Sequence, residues 1–176
     1  MRNYLFPNLA VSSVLDLTVD QLRNLHVEAL ILDVDCTLKE YEKQEPDSEI
    51  IEWLNILKEE KFSLCLLSNG IEKRIKPIAD SLQLPYIAKA CKPSPKGVRR
   101  ALDLLAVPAG KAVVVGDQIF ADILAGNLAS VFTILVTPIK PEQEHWFTRI
   151  KRPWEKIVLR SFWKKFPDGV WNAESK

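Results

Sequence analysis

The feature that most constrains this chain is the alternation of short apolar runs with amphipathic stretches. The runs cover residues 29–33, 62–67, 86–88, 111–115 and 132–136. Because they are largely apolar and do not alternate with polar residues, they are typical of strands that are buried on both faces. Such strands occur in parallel sheets that are covered by helices on both sides.

The amphipathic stretches that precede and separate these runs are predicted helices. They cover residues 18–25, 48–60, 72–82, 94–105 and 120–129. Thr18 and Gln21 fit a capping box at the first helix, and Ser94 with Pro95 fits the N-cap and first position of the fourth. The alternation predicts an α/β fold with a three-layer, doubly wound parallel sheet. Ligands bind beyond the carboxyl ends of the strands in such sheets.

The composition is that of an ordinary globular protein of 176 residues, which is the usual size of one domain. A net charge of +1 gives no basic field that would favour nucleic acid. The three cysteines form no CxxC pair, which favours free thiols in a reducing compartment. We therefore expect a cytoplasmic, single-domain protein (1–176), with its core at about 27–137 and a basic, aromatic extension at 138–176.

Polar side chains follow the first four predicted strands, where a parallel sheet brings them to one edge. In chain order they are Asp33, Asp35 and Thr37, then Ser68 and Asn69, then Lys92, and finally Gly116, Asp117, Gln118 and Asp122. Carboxylates that meet in one crevice repel each other, and Mg²⁺ would neutralise them. A hydroxyl and an ammonium group suit the oxygens of a phosphate. One carboxylate can attack phosphorus, and a second can transfer protons.

These motifs resemble those of the haloacid dehalogenase (HAD) superfamily of phosphohydrolases. The segment from Asp33 to Thr37 matches its DxDxT motif, and the segment from Gly116 to Asp122 matches its GDxxxxD motif. Ser68 and Lys92 match the two motifs between them. The chain is more closely similar to the YqeG group of this superfamily, which is related to phosphatidylglycerophosphate phosphatases. That similarity rests on residues 67–69, 89–93, 116–118 and 133–138.

The resemblance implies a magnesium-dependent phosphomonoester hydrolase that acts through an aspartyl-phosphate intermediate. Asp33 would be the nucleophile and Asp35 the general acid and base. The residues around the phosphate would be Thr37, which also fixes the loop, with Ser68, Asn69 and Lys92. The metal ligands would be Asp33, the backbone carbonyl of Asp35, and Asp117. The supporting residues would be Gly116, Gln118 and Asp122.

Two details of the motifs depart from the family pattern or leave a choice. Cys36 stands where many members of the family have Asn, which changes the hydrogen bonding of this loop. Lys89 and Lys92 both lie near the third motif. We favour Lys92 because it directly precedes the predicted helix start at Ser94, where phosphate binds readily.

The C-terminal region is basic and rich in tryptophan. The segment from Lys140 to Lys165 holds eight Lys or Arg residues and three Glu residues, a charge of +5. On a helical wheel of residues 154–166, most apolar residues share one half, and Lys156, Arg160 and Lys164 gather on the other. Two interpretations follow: a helix that packs on the sheet with one solvated face, or a helix on an anionic membrane surface.

The spacing of the motifs leaves no room for a cap, the extra domain that covers the cleft in many HAD enzymes. Thr37 and Ser68 are separated by 30 residues, and Asn69 and Lys92 by 22. We therefore expect an open, capless cleft. Such a cleft suits a phosphate held at a surface, such as the head group of phosphatidylglycerophosphate, better than a small metabolite.

Other functions are compatible with parts of the pattern. A soluble sugar or nucleotide phosphatase is the alternative within the same chemistry. A phospho-receiver module or a non-catalytic partner-binding protein is the alternative of another class. A receiver is disfavoured because its phospho-accepting Asp follows the third strand, where this chain has Lys89.

Overall fold

A six-stranded parallel sheet forms the centre of the protein. The computed structural model describes residues 3–144 and 146–170. In chain order the strands are β1 (Leu9–Val11), β2 (Ala29–Leu32), β3 (Ser63–Leu67), β4 (Tyr86–Ile87), β5 (Ala112–Gly116) and β6 (Phe132–Val136). Their spatial order is β1-β6-β5-β2-β3-β4, and all neighbouring strands run parallel. The chain reverses direction across the sheet between β2 and β5, which is where such folds bind ligands.

The helices cover both faces of this sheet, and the predicted three-layer, doubly wound fold is confirmed. They are α1 (Val19–Asn24), α2 (Ser48–Glu59), α3 (Glu72–Leu82), α4 (Lys96–Leu105), α5 (Leu124–Leu128), α6 (Trp146–Arg149) and α7 (Arg152–Lys165). Leu30 and Leu32 of β2 point into a core with Trp53 of α2 and Ile78 of α3. Ile31, between them, points into the opposite core, to which α4 and α5 contribute.

The described residues include no cap over the carboxyl ends of the strands. Helix α2 is the only helix between β2 and β3, and α3 is the only one between β3 and β4. The predicted capless architecture therefore agrees with the described part of the chain.

Three local features differ from the sequence-based predictions. Strand β1 was not predicted, because three half-buried residues are too few to show a pattern; it pairs with β6 at the edge of the sheet. Helix α4 begins at Lys96 with Pro95 as its N-cap, one residue later than the predicted Ser94 cap. The predicted helix 120–129 begins with a π-helical turn at Ile119–Ile123 before α5.

Helix α7 packs against the core through one stripe of side chains. Arg152, Glu155, Leu159 and Phe162 follow each other at intervals of three or four residues, so they share one face of the helix. Phe162 is fully buried, and its ring lies edge-on to the ring of Phe6 at a centroid distance of 5.6 Å. The packed-helix interpretation is thus correct for this face. Residues 171–176 of the predicted extension lie outside the described residues.

We predict that Phe162→Ala destabilises the protein by about 3–5 kcal/mol, because it leaves a cavity between α7 and the N-terminal segment that holds Phe6. The matched control is Ile157→Ala, since Ile157 is exposed on the same helix and its loss should change stability by less than about 0.5 kcal/mol. Urea unfolding of both variants tests this. Equal losses would show that α7 does not pack on the core as described.

Candidate active site

The predicted site residues meet in one cleft of about 490 Å³ at the carboxyl ends of the strands. The predicted residues that line it are Asp33, Asp35, Ser68, Asn69, Lys92 and Gln118. Thr37 and Asp117 lie behind Asp33, and Gly116 and Asp122 lie beneath them. Residues from four separate loops thus come together, as parallel strands require.

Lys92 is the lysine that reaches the carboxylates. Its ammonium group donates to Asp33 Oδ1, to Asp122 Oδ1 at 2.6 Å and to the carbonyl of Leu67 at 3.0 Å. Burial alone would lower the pKa of Lys92, but Asp122 and Asp33 outweigh it and raise that pKa above its ordinary value. Lys92 is therefore a fixed positive charge beside Asp33, whereas Lys89 is exposed.

The loop after β3 holds Lys92 in place. The Asn69 side chain accepts a hydrogen bond from the backbone N–H of Lys92 at 2.7 Å and donates one to its carbonyl at 3.1 Å. The Ser68 hydroxyl is buried and accepts from the N–H of Gly70 at 3.0 Å. In this arrangement the Asn69 amide contacts the main chain of Lys92, so its predicted contact with phosphate stays a prediction.

Three buried carboxylates form the floor of the cleft. One oxygen each from Asp33, Asp117 and Asp122 lies within 4.8 Å of the others. The Thr37 hydroxyl lies 3.3 Å from Asp33 Oδ2 and 3.2 Å from Asp117 Oδ1, so it bridges the first and fourth motifs. Burial raises the pKa of Asp33 well above its ordinary value, although Lys92 opposes this. Burial also raises the pKa of Asp117 to about 7, with Arg152 opposing.

This donor set fits a hard divalent cation. Carboxylate oxygens are the ligands that Mg²⁺ prefers, and the buried negative charge exceeds the nearby positive charge. The buried carboxylates of this cluster are Asp33, Asp117, Asp122, Glu144 and Glu155, and the cations that pair with them are Lys92 and Arg152. A bound cation would reduce this imbalance.

Asp122 differs from the other two carboxylates because both of its oxygens are engaged. Oδ1 accepts from Lys92, and Oδ2 accepts from the backbone N–H of Gln118 at 3.0 Å. These two hydrogen bonds agree with the predicted supporting role of Asp122. Gly116 allows it, since a Cβ at residue 116 would lie 2.3 Å from Cγ of Asp122.

The carboxylate of Asp35 is held by two cations that the sequence analysis missed. Asp35 Oδ1 accepts from Lys39 at 2.8 Å and from Arg74 at 2.9 Å. Lys39 is buried, and the Arg74 guanidinium lies 4.2 Å from the centre of the Tyr41 ring. Lys39 lies four residues after Asp35, but nothing in the sequence relates Arg74 to it.

Three further residues missed by the sequence analysis surround Asp117. Arg152, the first residue of α7, pairs with the Asp117 carboxylate and with Glu144 and Glu155. The sequence does contain a signal for this ion pair, because Arg152 and Glu155 lie on the same helical stripe as the apolar Leu159 and Phe162. Charged residues on a core-facing stripe indicate a buried ion pair.

Cys36 stands where many members of the family have Asn, and the backbone around it shows how the loop forms without an Asn side chain. Its φ of 62° lies in the left-handed region, which Asn adopts more readily than Cys. The thiol is buried, and burial raises its pKa, so it stays protonated. The backbone N–H of Cys36 donates to the carbonyl of Lys39 at 2.7 Å, which closes the loop without an Asn side chain.

Comparison with known proteins agrees with this geometry. A model of the haloacid dehalogenase-like hydrolase family matches residues 10–130, a range that contains all four motifs. The chain belongs to this family. It is 31% identical over 165 residues to the probable phosphatase YqeG of Bacillus subtilis (strain 168), covering 94% of this chain and 95% of that protein. The predicted HAD membership, the similarity to the YqeG group and the prediction of an HAD-type enzyme are confirmed.

Solved structures support the HAD fold. The cobalt-bound deoxy-D-mannose-octulosonate 8-phosphate phosphatase (YrbI) of Haemophilus influenzae superposes with a TM-score of 0.51 at 13% identity, covering 78% of this chain and 90% of that one. NagD of E. coli K-12 superposes with a TM-score of 0.54 at 14% identity, covering 70% and 91%. At these identities the similarity concerns the fold alone.

The raised pKa of Asp117 predicts how divalent cations stabilise the protein. Unfolded Asp ionises near about pH 4, so this buried carboxyl favours folding at low pH and loses that contribution as the pH rises towards about 7. A cation needs the ionised form. The rise in melting temperature on adding Mg²⁺ should therefore be larger at about pH 8 than at about pH 5.5.

Thermal unfolding with Mg²⁺ and with EDTA at both pH values measures this. Asp117→Asn should reduce the Mg²⁺ effect, whereas Asp103→Asn, at an exposed position on α4, should not. A Mg²⁺ effect of equal size at both pH values would contradict the prediction.

Proposed function

We propose that the protein is a magnesium-dependent phosphatase that hydrolyses phosphomonoesters through a phosphorylated Asp33. The observation that carries this is the buried Asp33 carboxylate, paired with Lys92, with Asp35 two residues along in the same cleft. The relative in Bacillus subtilis, which is 31% identical to this chain, is named a probable phosphatase and supports the same chemistry.

Each residue has a role that its position allows. A carboxylate oxygen of Asp33 attacks phosphorus, and the bond from phosphorus to the ester oxygen breaks. Protonated Asp35 gives its proton to the departing oxygen. Asp35 then takes a proton from water, the water oxygen attacks phosphorus, and the bond from phosphorus to Asp33 breaks to release phosphate. The Ser68 hydroxyl donates to a non-bridging oxygen. The three N–H groups of Lys92 already contact Asp33, Asp122 and the carbonyl of Leu67, so Lys92 offsets the phosphate charge from beside Asp33.

Asp33, Asp117 and the backbone carbonyl of Asp35 would hold the cation. Bound Mg²⁺ would neutralise part of the phosphate charge that otherwise repels Asp33.

The nucleophile assignment predicts that Asp33→Asn has no measurable turnover, because an amide cannot form the acyl-phosphate. The fold should persist, since Lys92 keeps its pair with Asp122. Asp35→Asn should be slowed by roughly 10²- to 10⁴-fold through loss of proton transfer. Initial rates on a chromogenic phosphate measure both, with Asp103→Asn as the control that should retain full activity.

Metal dependence is tested in the same assay, since EDTA should stop wild-type turnover and Mg²⁺ should restore it. Substantial turnover by Asp33→Asn with Mg²⁺ present would remove Asp33 as the nucleophile and with it the proposed mechanism.

We further propose that the phosphate is presented at an anionic membrane surface, with phosphatidylglycerophosphate as the expected substrate. Trp154 and Ile157, three residues apart on α7, form an exposed apolar stripe with 65% and 57% of each residue exposed, and Ile150 in the turn before α7 is 59% exposed. Thr148 and Lys151 of the same segment line the cleft. The stripe and the active site are therefore adjacent along the chain.

Charge complementarity supports a membrane as the partner of this stripe. The exposed cations around it are Arg149, Lys156, Arg160 and Lys164. Exposed Trp and Ile beside Lys and Arg are the combination that an anionic lipid interface favours. In the described parts of the chain, no helix is long and apolar enough to cross a bilayer.

Removal of residues 154–176 is a poor test of membrane docking, because it would also remove the buried Phe162 and Glu155. The sharper change is the double variant Trp154→Ser with Ile157→Ser, which alters exposed positions only. It should weaken binding to phosphatidylglycerol vesicles by about tenfold or more. Turnover of phosphatidylglycerophosphate in mixed micelles should fall, whereas turnover of a small chromogenic phosphate should not.

The matched control is Leu104→Ser, an exposed apolar residue on α4, which should leave vesicle binding unchanged. If the double variant binds vesicles like the wild type, the membrane proposal is wrong. A soluble sugar or nucleotide phosphate would then be the better substrate class.

A further inference from the structure

Arg152 connects the C-terminal helix to the fourth motif. Its guanidinium donates to the carbonyl of Asp117 at 2.9 Å and to Asp117 Oδ2, so it holds both the backbone and the side chain of this residue. A planar guanidinium has donors in fixed directions. Two contacts to one residue therefore fix the orientation of the Asp117 carboxylate.

The two oxygens of Asp117 have different partners as a result. Oδ2 accepts a hydrogen bond from Arg152. Oδ1 lies 3.2 Å from the Thr37 hydroxyl, on the side of the cleft that holds Asp33. A cation on this side would thus meet one oxygen of Asp117 and not both. One-oxygen ligation suits the six-coordinate geometry of Mg²⁺, whereas Ca²⁺ readily accepts carboxylates through both oxygens.

A positive charge beside a metal ligand would ordinarily repel the metal. Here Glu144 accepts from Arg152 Nε at 3.0 Å, and Glu155 accepts from Nη1 at 3.1 Å. Both glutamates are buried, and Glu155 also accepts from the N–H of Phe120 at 3.1 Å. The two glutamates offset the charge of Arg152 and leave its geometric hold on Asp117.

We propose that Arg152 is a positioning residue that restricts Asp117 to one metal-facing oxygen and thereby makes the site selective for Mg²⁺ over Ca²⁺. This inference rests on the proposed metal-dependent function. It adds a role for α7 that lies outside the four motifs.

The test measures metal binding without substrate. Mn²⁺ binding is followed by electron paramagnetic resonance, and Mg²⁺ and Ca²⁺ are then added as competitors. Arg152→Met is combined with Glu144→Gln, so that the net charge of this cluster stays the same, and it should weaken Mn²⁺ and Mg²⁺ binding by roughly 10- to 100-fold. Ca²⁺ binding should weaken less, so the preference for Mg²⁺ over Ca²⁺ falls.

Arg152→Lys keeps the positive charge that the buried glutamates require, so this variant should fold. It lacks the planar set of guanidinium donors, so it should show the same loss of preference for Mg²⁺ over Ca²⁺. Arg160→Met removes an exposed cation from the same helix and should bind all three ions like the wild type. Circular dichroism and melting temperatures report folding for each variant.

The outcomes separate this inference from the proposed function. If the wild type binds no divalent cation, the proposed metal-dependent function fails. If the wild type binds and both Arg152 variants keep the same affinities and selectivity, only the role of Arg152 is refuted. If neither variant folds, Arg152 serves the fold, and the positioning role is likewise rejected.

Discussion

The crowding of buried carboxylates at the point where the sheet changes direction is the constraint on which the rest of the structure depends. Asp33 and Asp117 follow neighbouring strands, and the register that sets Leu32 opposite Val115 brings them together before any ligand binds. Two cations reach them from different parts of the chain: Lys92 from the loop after β4, and Arg152 from the start of α7. The Asn69 amide holds the main chain of Lys92, and Glu144 and Glu155 hold the guanidinium of Arg152. The surplus of negative charge is what makes the site suited to a divalent ion.

The sequence predicted those parts of the fold that repeat a pattern over several residues. The central strands are uninterrupted apolar runs, and the motifs that follow them have fixed spacing, so the sheet and the positions of Asp33, Lys92 and Asp117 could all be anticipated. Strand β1 could not be predicted because its three residues depend on pairing with β6 rather than on a pattern of their own. Arg74 and Arg152 are distant in sequence from Asp35 and Asp117, with which they pair, and no local pattern relates a cation on a helix to a carboxylate in a loop that follows a strand.

The packed-helix interpretation of the C-terminal helix is correct for one face of it, whereas the membrane interpretation stays a proposal for the exposed face. The helical wheel grouped most apolar residues of 154–166 into one half, which includes part of the core-facing stripe and also helix surface away from it. Tertiary packing divides this half: Phe162 enters the core, whereas Trp154 and Ile157 stay exposed. Amphipathicity alone cannot make this division, since it reports how apolar side chains are distributed around a helix but not how much of that surface the rest of the protein covers.

The position of Arg152 in the chain has a consequence for the order in which the site is assembled. All four motifs precede it, so during synthesis from the N-terminus the carboxylates of the site leave the ribosome before the guanidinium that orients Asp117. A nascent chain that has emerged only as far as β6 has the complete sheet but lacks α7, with Asp117 not yet held by its partner. The ion pair between Arg152 and Asp117 can therefore form only after α7 has been synthesised and has docked on the sheet.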